Sequence, residues 1–85
     1  MSVPAPDWLT RHGAELRPSE DGRAWLVYFD GGPQYLLMAV PAGGQFGCRV
    51  SQTVNGRRLD GAATWPTLED AARGGLEELR QALGW

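Results

Sequence analysis

The dipeptide Asn55-Gly56 is the feature that most constrains the fold of this chain. It is the strongest short signal for a two-residue β-hairpin loop, because a type I′ turn needs positive φ at both central positions. The register that follows from this loop pairs Val54 with Arg57, Gln52 with Leu59, Val50 with Gly61, Cys48 with Ala63 and Phe46 with Trp65. These residues share one nearly apolar face, because side chains alternate along a strand. The sequence therefore predicts a hairpin over residues 45–65 whose register is set by its apolar pattern.

The opposite face of this predicted hairpin is polar. It carries Arg49, Ser51, Thr53, Arg58, Asp60 and Thr64, and Arg57 lies beside them at the turn. A solvated sheet face is the more frequent reason for such a pattern. The alternative is a recognition face, because an arginine on a rigid strand holds its guanidinium in a fixed place.

The chain after Pro66 predicts an amphipathic helix that ends near Leu83. Thr67 and Asp70 have the spacing of a capping box, and Gly84 has the position of a C′ glycine. The predicted apolar stripe consists of Leu68, Ala72, Gly75, Leu76, Leu79, Ala82 and Leu83. Gly74 and Gly75 each cost about 1 kcal/mol relative to alanine inside a helix, so tertiary packing has to stabilise this one.

The earlier part of the chain alternates short β-rich runs with turn clusters. Strands are predicted at residues 14–17, 24–29 and 34–40, separated by turn clusters at 18–22, 30–33 and 41–44. Asp7 is predicted to cap a short helical turn that ends at Gly13. The predicted fold is thus α+β, an antiparallel β-meander of four to five strands with one C-terminal α-helix packed on one face. The 85 residues divide into a flexible tail, residues 1–6, and a single domain, residues 7–85.

The two central strands are apolar on both sides. Trp25, Val27 and Phe29 alternate with other apolar residues, and residues 34–40 show the same pattern. One helix covers only one face of a sheet, so the second face needs either the segment with Trp8 and Leu9 or the surface of a partner. Monomers seldom expose an apolar patch of more than a few hundred Å².

The first functional hypothesis is accordingly a small non-enzymatic protein-binding module or regulator, with a homodimer as one form of it. The residues predicted to contact a partner are Tyr28, Tyr35, Arg49, Arg57, Arg58 and Asp60.

No residue is predicted to be catalytic, to bind a metal or cofactor, or to line a small-molecule site. His12, the single histidine, adjoins the predicted helix end and is expected at the surface or as a cap. Cys48, the single cysteine, falls on the apolar hairpin face and is expected to be a buried thiol. The glycine pairs at 31–32 and 43–44 lack phosphate-loop spacing. An enzyme with its site at an oligomer interface is the less favoured alternative.

Nucleic-acid binding through Arg49, Arg57 and Arg58 is the second hypothesis. An antiparallel sheet followed by a helix that opens with Thr67–Ala72 is similar in outline to the three-stranded, helix-backed sheets of integrase N-terminal DNA-binding domains, and this resemblance implies DNA binding by the sheet. Those sheets are basic, whereas this chain has eight arginines against ten acidic residues and a net charge of −2.

Neither a membrane span nor a secretory leader is expected. The chain has no apolar run that approaches 18 residues, and its N-terminus lacks a basic segment followed by an apolar one. We therefore expect a cytoplasmic protein without a membrane partner.

Overall fold

The computed structural model describes residues 4–59 and 61–85. Its elements are α1 (Asp7–Arg11), β1 (Glu15–Pro18), β2 (Ala24–Phe29), β3 (Gly32–Ala42), β4 (Gln45–Gln52) and α2 (Leu68–Leu83). The strands form one antiparallel sheet in the order β1-β2-β3-β4. The predicted α+β meander with a C-terminal helix is confirmed, with four strands rather than five in the described part of the chain.

Two tight turns join the central strands. Phe29 pairs with Gly32 and Ala42 pairs with Gln45, so each loop contains only two residues. Asp30 and Gly31 have φ values of 55° and 86°, and Gly43 and Gly44 have 57° and 84°. Positive φ at both positions defines the type I′ turn, whose twist matches that of the flanking strands.

The loop at Asn55-Gly56 differs from the prediction. Only Gly56 has positive φ, at 70°, and the loop has four residues, because the amide of Gln52 donates to the carbonyl of Arg57. The side chain of Asn55 instead accepts a hydrogen bond from the amide of Arg57 at 2.9 Å. This side-chain bond offers the backbone an alternative to the type I′ conformation, and the predicted two-residue loop is wrong.

The segment after this loop makes only isolated bridges with β4. Phe46 pairs with Trp65 as predicted, but Ser51 pairs with Arg58, a shift of two residues from the predicted register. The amide of Gly61 donates to Oε2 of Glu78 in α2 at 2.6 Å. This bond directs the segment toward α2 instead of into a ladder with β4.

A shift of two residues preserves the side to which each side chain points. Leu59 therefore still packs against the core, as predicted. Ala63, which was predicted to face inward, is exposed, because it lies in the irregular part of the segment between the two bridges.

The two ends of α2 follow their sequence signals. The hydroxyl of Thr67 accepts a hydrogen bond from the amide of Asp70 at 3.1 Å. Gly84 adopts the left-handed conformation with φ 73°, and its amide donates to the carbonyl of Gln81. Both ends are therefore capped by local chemistry.

We expect the substitution Thr67→Ala to lower the free energy of unfolding by about 1 kcal/mol, because the amide of Asp70 loses its acceptor. Chemical denaturation of the purified protein measures this change. Thr67→Ser is the matched control, because serine keeps the hydroxyl. Equal losses from both substitutions would contradict a capping role.

The core lies between the sheet and α2. Its buried residues include Trp25, Val27, Leu37, Cys48 and Val50 from the strands and Ala71, Ala72, Gly75, Leu76 and Leu79 from α2. Ala82, predicted to belong to the apolar stripe, is exposed, because the fully buried part of the stripe ends at Leu79.

The short helix α1 lies on the same side of the sheet as α2. Leu9 is fully buried in the common core, and Trp8 contacts Trp85, the residue that follows the C-cap of α2. Asp7 is not the N-cap as predicted: Pro6 has that position, and no side chain caps the helix. His12 is the C-cap, in agreement with its predicted role. Because Trp8 and Leu9 pack with α2, they do not cover the second face of the sheet.

Candidate functional site: the open face of the sheet

The side of the sheet away from α2 presents apolar side chains that no described segment covers. We call this surface the open face. It comprises Glu15 and Arg17 of β1, Ala24, Leu26 and Tyr28 of β2, Leu36, Met38 and Val40 of β3, and Arg49 and Ser51 of β4, whereas Gly47 of β4 points to the same side but is buried. Its apolar members do not belong to the core cluster or to the side chains packed against it. Met38 is the most exposed of them, at 38%.

The strand register arranges the open face in rows that run across the sheet. One row contains Arg17, Leu26, Leu36 and Ser51, which are paired in that order from β1 to β4. The next row contains Ala24, Met38 and Arg49. The centre of each row is apolar; the first row ends in Arg17 and Ser51, and the second ends in Arg49 on the β4 side. The open face is therefore an apolar strip along β2 and β3, bordered by charged residues.

Arg17 defines the border on the β1 side. Its Nη2 lies 3.0 Å from Oε2 of Glu15, and its Cζ lies 4.2 Å above the ring of Tyr28. The hydrogen bond to Glu15 and the charge of that carboxylate raise the pKa of Arg17 above its ordinary value. Because arginine is always charged, Arg17 holds a positive charge over the aromatic ring.

Arg49 and Arg58 define the border on the β4 side. Arg49 is exposed, lies opposite Met38, and forms no ion pair with residues 4–59 or 61–85. Arg58 is exposed and is paired with Ser51, which places it on the same side as the open face. The two arginines predicted from the hairpin thus lie beside the apolar strip, where we had expected a separate polar surface.

The remaining predicted residues are distributed differently. Arg57 is exposed but opposes Gln52, whose side chain belongs to the other face of the sheet. Tyr35 is 7% exposed and stacks on Phe29 on the side covered by the helices, so it does not join the open face. Tyr28 lies on the open face, and Asp60 falls outside the described residues.

Sequence reasoning missed Arg17 as a border residue. The signal was available, because the turn cluster at 18–22 predicts a hairpin between β1 and β2. The pairing of such a hairpin places a residue of β1 beside Tyr28. Leu26, Leu36 and Met38 were identified as apolar on the sequence, but only the packing of α1 and α2 decides that they are the uncovered set.

Four of the ten acidic residues lie on the opposite side of the molecule. Glu69, Asp70, Glu77 and Glu78 all belong to α2. Arg73 lies 3.9 Å from Glu69, which is half-buried, and Arg80 lies 3.0 Å from Glu77, both as pairs within the helix. The border of the open face therefore differs in sign from the acidic helix that covers the other face.

The reactive residue types do not meet in one place. The ring of His12 stacks on Trp85 with centroids 4.1 Å apart, and Cys48 is buried against α2. Across residues 4–59 and 61–85, no three His, Cys, Asp or Glu side chains are grouped as metal ligands. No helix in this part of the chain is long and apolar enough to cross a membrane.

The described residues form surface depressions outside the core, two of which adjoin α2 and the open face. One, of about 260 Å³, is formed by the segment of Pro4 to Pro6, by Trp8 and by α2. The other, of about 460 Å³, adjoins the open face beside Arg17, Tyr28 and Asp30. The first is smaller than typical ligand pockets, and the second is continuous with the border of the open face.

Comparisons with models of known protein families, with curated proteins and with solved structures find no match to this chain. The function is therefore inferred from the geometry of the open face.

Proposed function

We propose that this chain is a small non-enzymatic protein-binding module whose docking surface is the open face of the sheet. The observation that supports the proposal is the uncovered apolar strip on β2 and β3, with Leu26, Leu36 and Met38 at its centre. Burial of such side chains is the main source of favourable free energy in protein association.

The size of the open face predicts the strength of the contact. Four strands at a spacing of about 4.8 Å, overlapping over about six residues, give a flat footprint of roughly 400 Å². Stable complexes bury about 800 Å² on each partner. We therefore expect a weak and reversible interaction when the open face acts alone.

The positions of the reactive residues support a function without catalysis. A nucleophile needs an adjacent base within hydrogen-bond reach. Cys48 is enclosed between β4 and α2, whereas His12 stacks on Trp85 at the surface beside α1. A cytoplasmic location belongs to the same proposal.

Site-specific cross-linking tests the proposed docking surface. We expect a photo-reactive amino acid at Met38 to form covalent adducts with protein in a lysate of the source organism. The same amino acid at Val54, which is 89% exposed at the hairpin tip, is the matched control. Gel electrophoresis and mass spectrometry detect the adducts and separate a second copy of this chain from another protein. An absence of adducts specific to position 38 would contradict the proposal.

Nucleic-acid binding is the second candidate. Arg49 and Arg58 on the same side as the open face favour it, since arginine contacts phosphate well. Arg57 on the other face and the net charge of −2 count against it. Titration of the chain with single-stranded DNA separates this candidate from a protein partner.

A further inference from the structure

We propose that the occupant of the open face is an amphipathic α-helix of a partner protein, with acidic residues on both sides of its apolar stripe. This inference rests on the proposed function, and it adds the chemistry of the partner. Three observations support it: the width of the open face, the sign of the charges along its borders, and the packing of α2 on its own sheet.

The width of the open face fits one helix. The backbones of β1 and β4 are separated by three strand spacings, about 14 Å. An α-helix with its side chains is about 10–12 Å wide. A helix along the central strands would therefore cover Leu26 and Leu36, with Arg17 at one flank and Arg49 at the other. The 16-residue helix α2 packs on the opposite face of the same sheet, over β3 and β4.

The borders of the open face favour acidic flanks. Among the described residues the borders carry Arg17, Arg49 and Arg58 against Glu15, with a second acid, Asp30, in the adjoining turn. The pair of Arg17 and Glu15 is exposed, with 57% and 66% of the side chains accessible. Exposed pairs contribute little and are readily exchanged for another carboxylate. Carboxylates at both flanks of a bound helix would meet arginines, and like charges there are disfavoured.

A second copy of this chain fits the open face poorly. Its one long helix, α2, already buries its apolar residues on its own sheet. A face-to-face dimer would place two surfaces with arginine borders against each other, which electrostatic complementarity disfavours.

Single-stranded nucleic acid also fits poorly. Platforms that bind it use several exposed aromatic rings. The aromatic residue of the open face is Tyr28, and the guanidinium of Arg17 already covers its ring.

Titration of the full ¹⁵N-labelled chain tests the inference. The probes are two synthetic helical peptides with the same leucine stripe, one flanked by glutamate and the other by lysine, and a mixed-sequence single-stranded DNA. We expect the glutamate peptide to shift the amide resonances of β2 and β3. We expect it to bind at least about tenfold more tightly than the lysine peptide. Equal affinities, or shifts confined to α1 and α2, would overturn the inference.

A charge reversal makes the test specific for the border. Arg49→Glu should weaken binding of the glutamate peptide by about tenfold and should improve binding of the lysine peptide. Arg11→Glu is the matched control, because Arg11 is an exposed arginine in α1. We expect this control to leave both affinities within about twofold. Equal effects of the two substitutions would show that net charge, rather than the border, controls binding.

The outcomes also separate this inference from the proposed function. If neither peptide binds while the position-38 cross-linker captures one identified protein that the position-54 control does not capture, the acidic helix is wrong and the docking surface stands. If the cross-linker captures another copy of this chain, the occupant of the open face is that second copy, and the protein is a homodimer. If the DNA binds and Arg49→Glu abolishes that binding, the surface is a nucleic-acid interface. If peptides, DNA and cross-linker all give no interaction, both proposals fail.

Discussion

Replacing Gly75 with alanine is expected to lower the free energy of unfolding by about 1–3 kcal/mol, although alanine favours a helix by about 1 kcal/mol. A Cβ atom at this position would collide with Sγ of Cys48 and would lie 2.9 Å from the Cβ of that residue and 3.3 Å from Cδ2 of Leu37. Gly75 is buried between α2 and the centre of the sheet. The backbone of α2 would therefore have to move away from β3 and β4. Urea denaturation of the purified variant measures the loss.

A double-mutant cycle identifies the cause of this loss. Cys48→Ala removes the sulfur atom that a Cβ at position 75 would meet. We expect the double variant to lose less stability than the sum of the two single variants, with a coupling of about 0.5–3 kcal/mol. A Gly75→Ala protein that is more stable than the original would contradict close packing at this position.

Gly74 is a useful comparison on the same helix. Its Cβ would collide with the indole ring of Trp65 and would lie 2.7 Å from Nε1. Trp65 is only half-buried, at the bridge with Phe46. The ring has room to turn outward, so Gly74→Ala should cost less than Gly75→Ala. The two substitutions have the same intrinsic helix preference, and the difference between them reports tertiary packing.

Replacing Trp85 with alanine is expected to lower the free energy of unfolding by about 2–4 kcal/mol. The indole ring stacks on His12 at 4.1 Å and meets Phe29 edge-on at 5.3 Å and Trp8 at 6.1 Å. It thus joins α1 to the end of α2 and to β2. Its removal should release α1, which has only five residues and is too short to be stable alone.

Hydrogen exchange distinguishes release of α1 from a general loss of stability. The amide of Ala14 donates to the carbonyl of Leu9 at the end of α1. In the Trp85→Ala variant, we expect the exchange rate of this amide to increase by a larger factor than the exchange rates of the β3 amides. Trp85→Phe, which keeps an aromatic ring, is the control and should retain most of the protection. A uniform increase across the sheet would contradict a specific role in holding α1.

Much of the fold could be predicted from neighbouring residues. The bounds of β2 agree with the prediction, and both ends of α2 lie where Thr67 and Gly84 predict them. These signals are local, because a hydroxyl that accepts an amide proton or a glycine with positive φ acts within a few residues. The prediction of a two-residue loop at Asn55-Gly56 was wrong for a related reason. The side chain of Asn55 accepts a local hydrogen bond that competes with the type I′ turn, and the dipeptide pattern does not account for it.

The candidate site was only partly predictable. Arg49 and Arg58 were identified on the correct side of the hairpin, because the shift of two residues preserves the side of each side chain. Tyr35 was nominated together with Tyr28, although the two side chains point to opposite faces of the sheet. Both central strands are apolar on both sides, and alternation alone therefore could not distinguish a core residue from a docking residue.

The sequence by itself determined the meander, the capped helix and the apolar side of β4, because each follows from turn chemistry, capping or period-two alternation within one segment. Only the tertiary structure decided that α1 and α2 share one side of the sheet and leave the open face uncovered. It also explained the two helix glycines: a Cβ atom at Gly74 would collide with Trp65, and a Cβ atom at Gly75 would collide with Cys48. These outcomes depend on contacts between segments distant in sequence, where packing selects one arrangement among several that the local pattern permits.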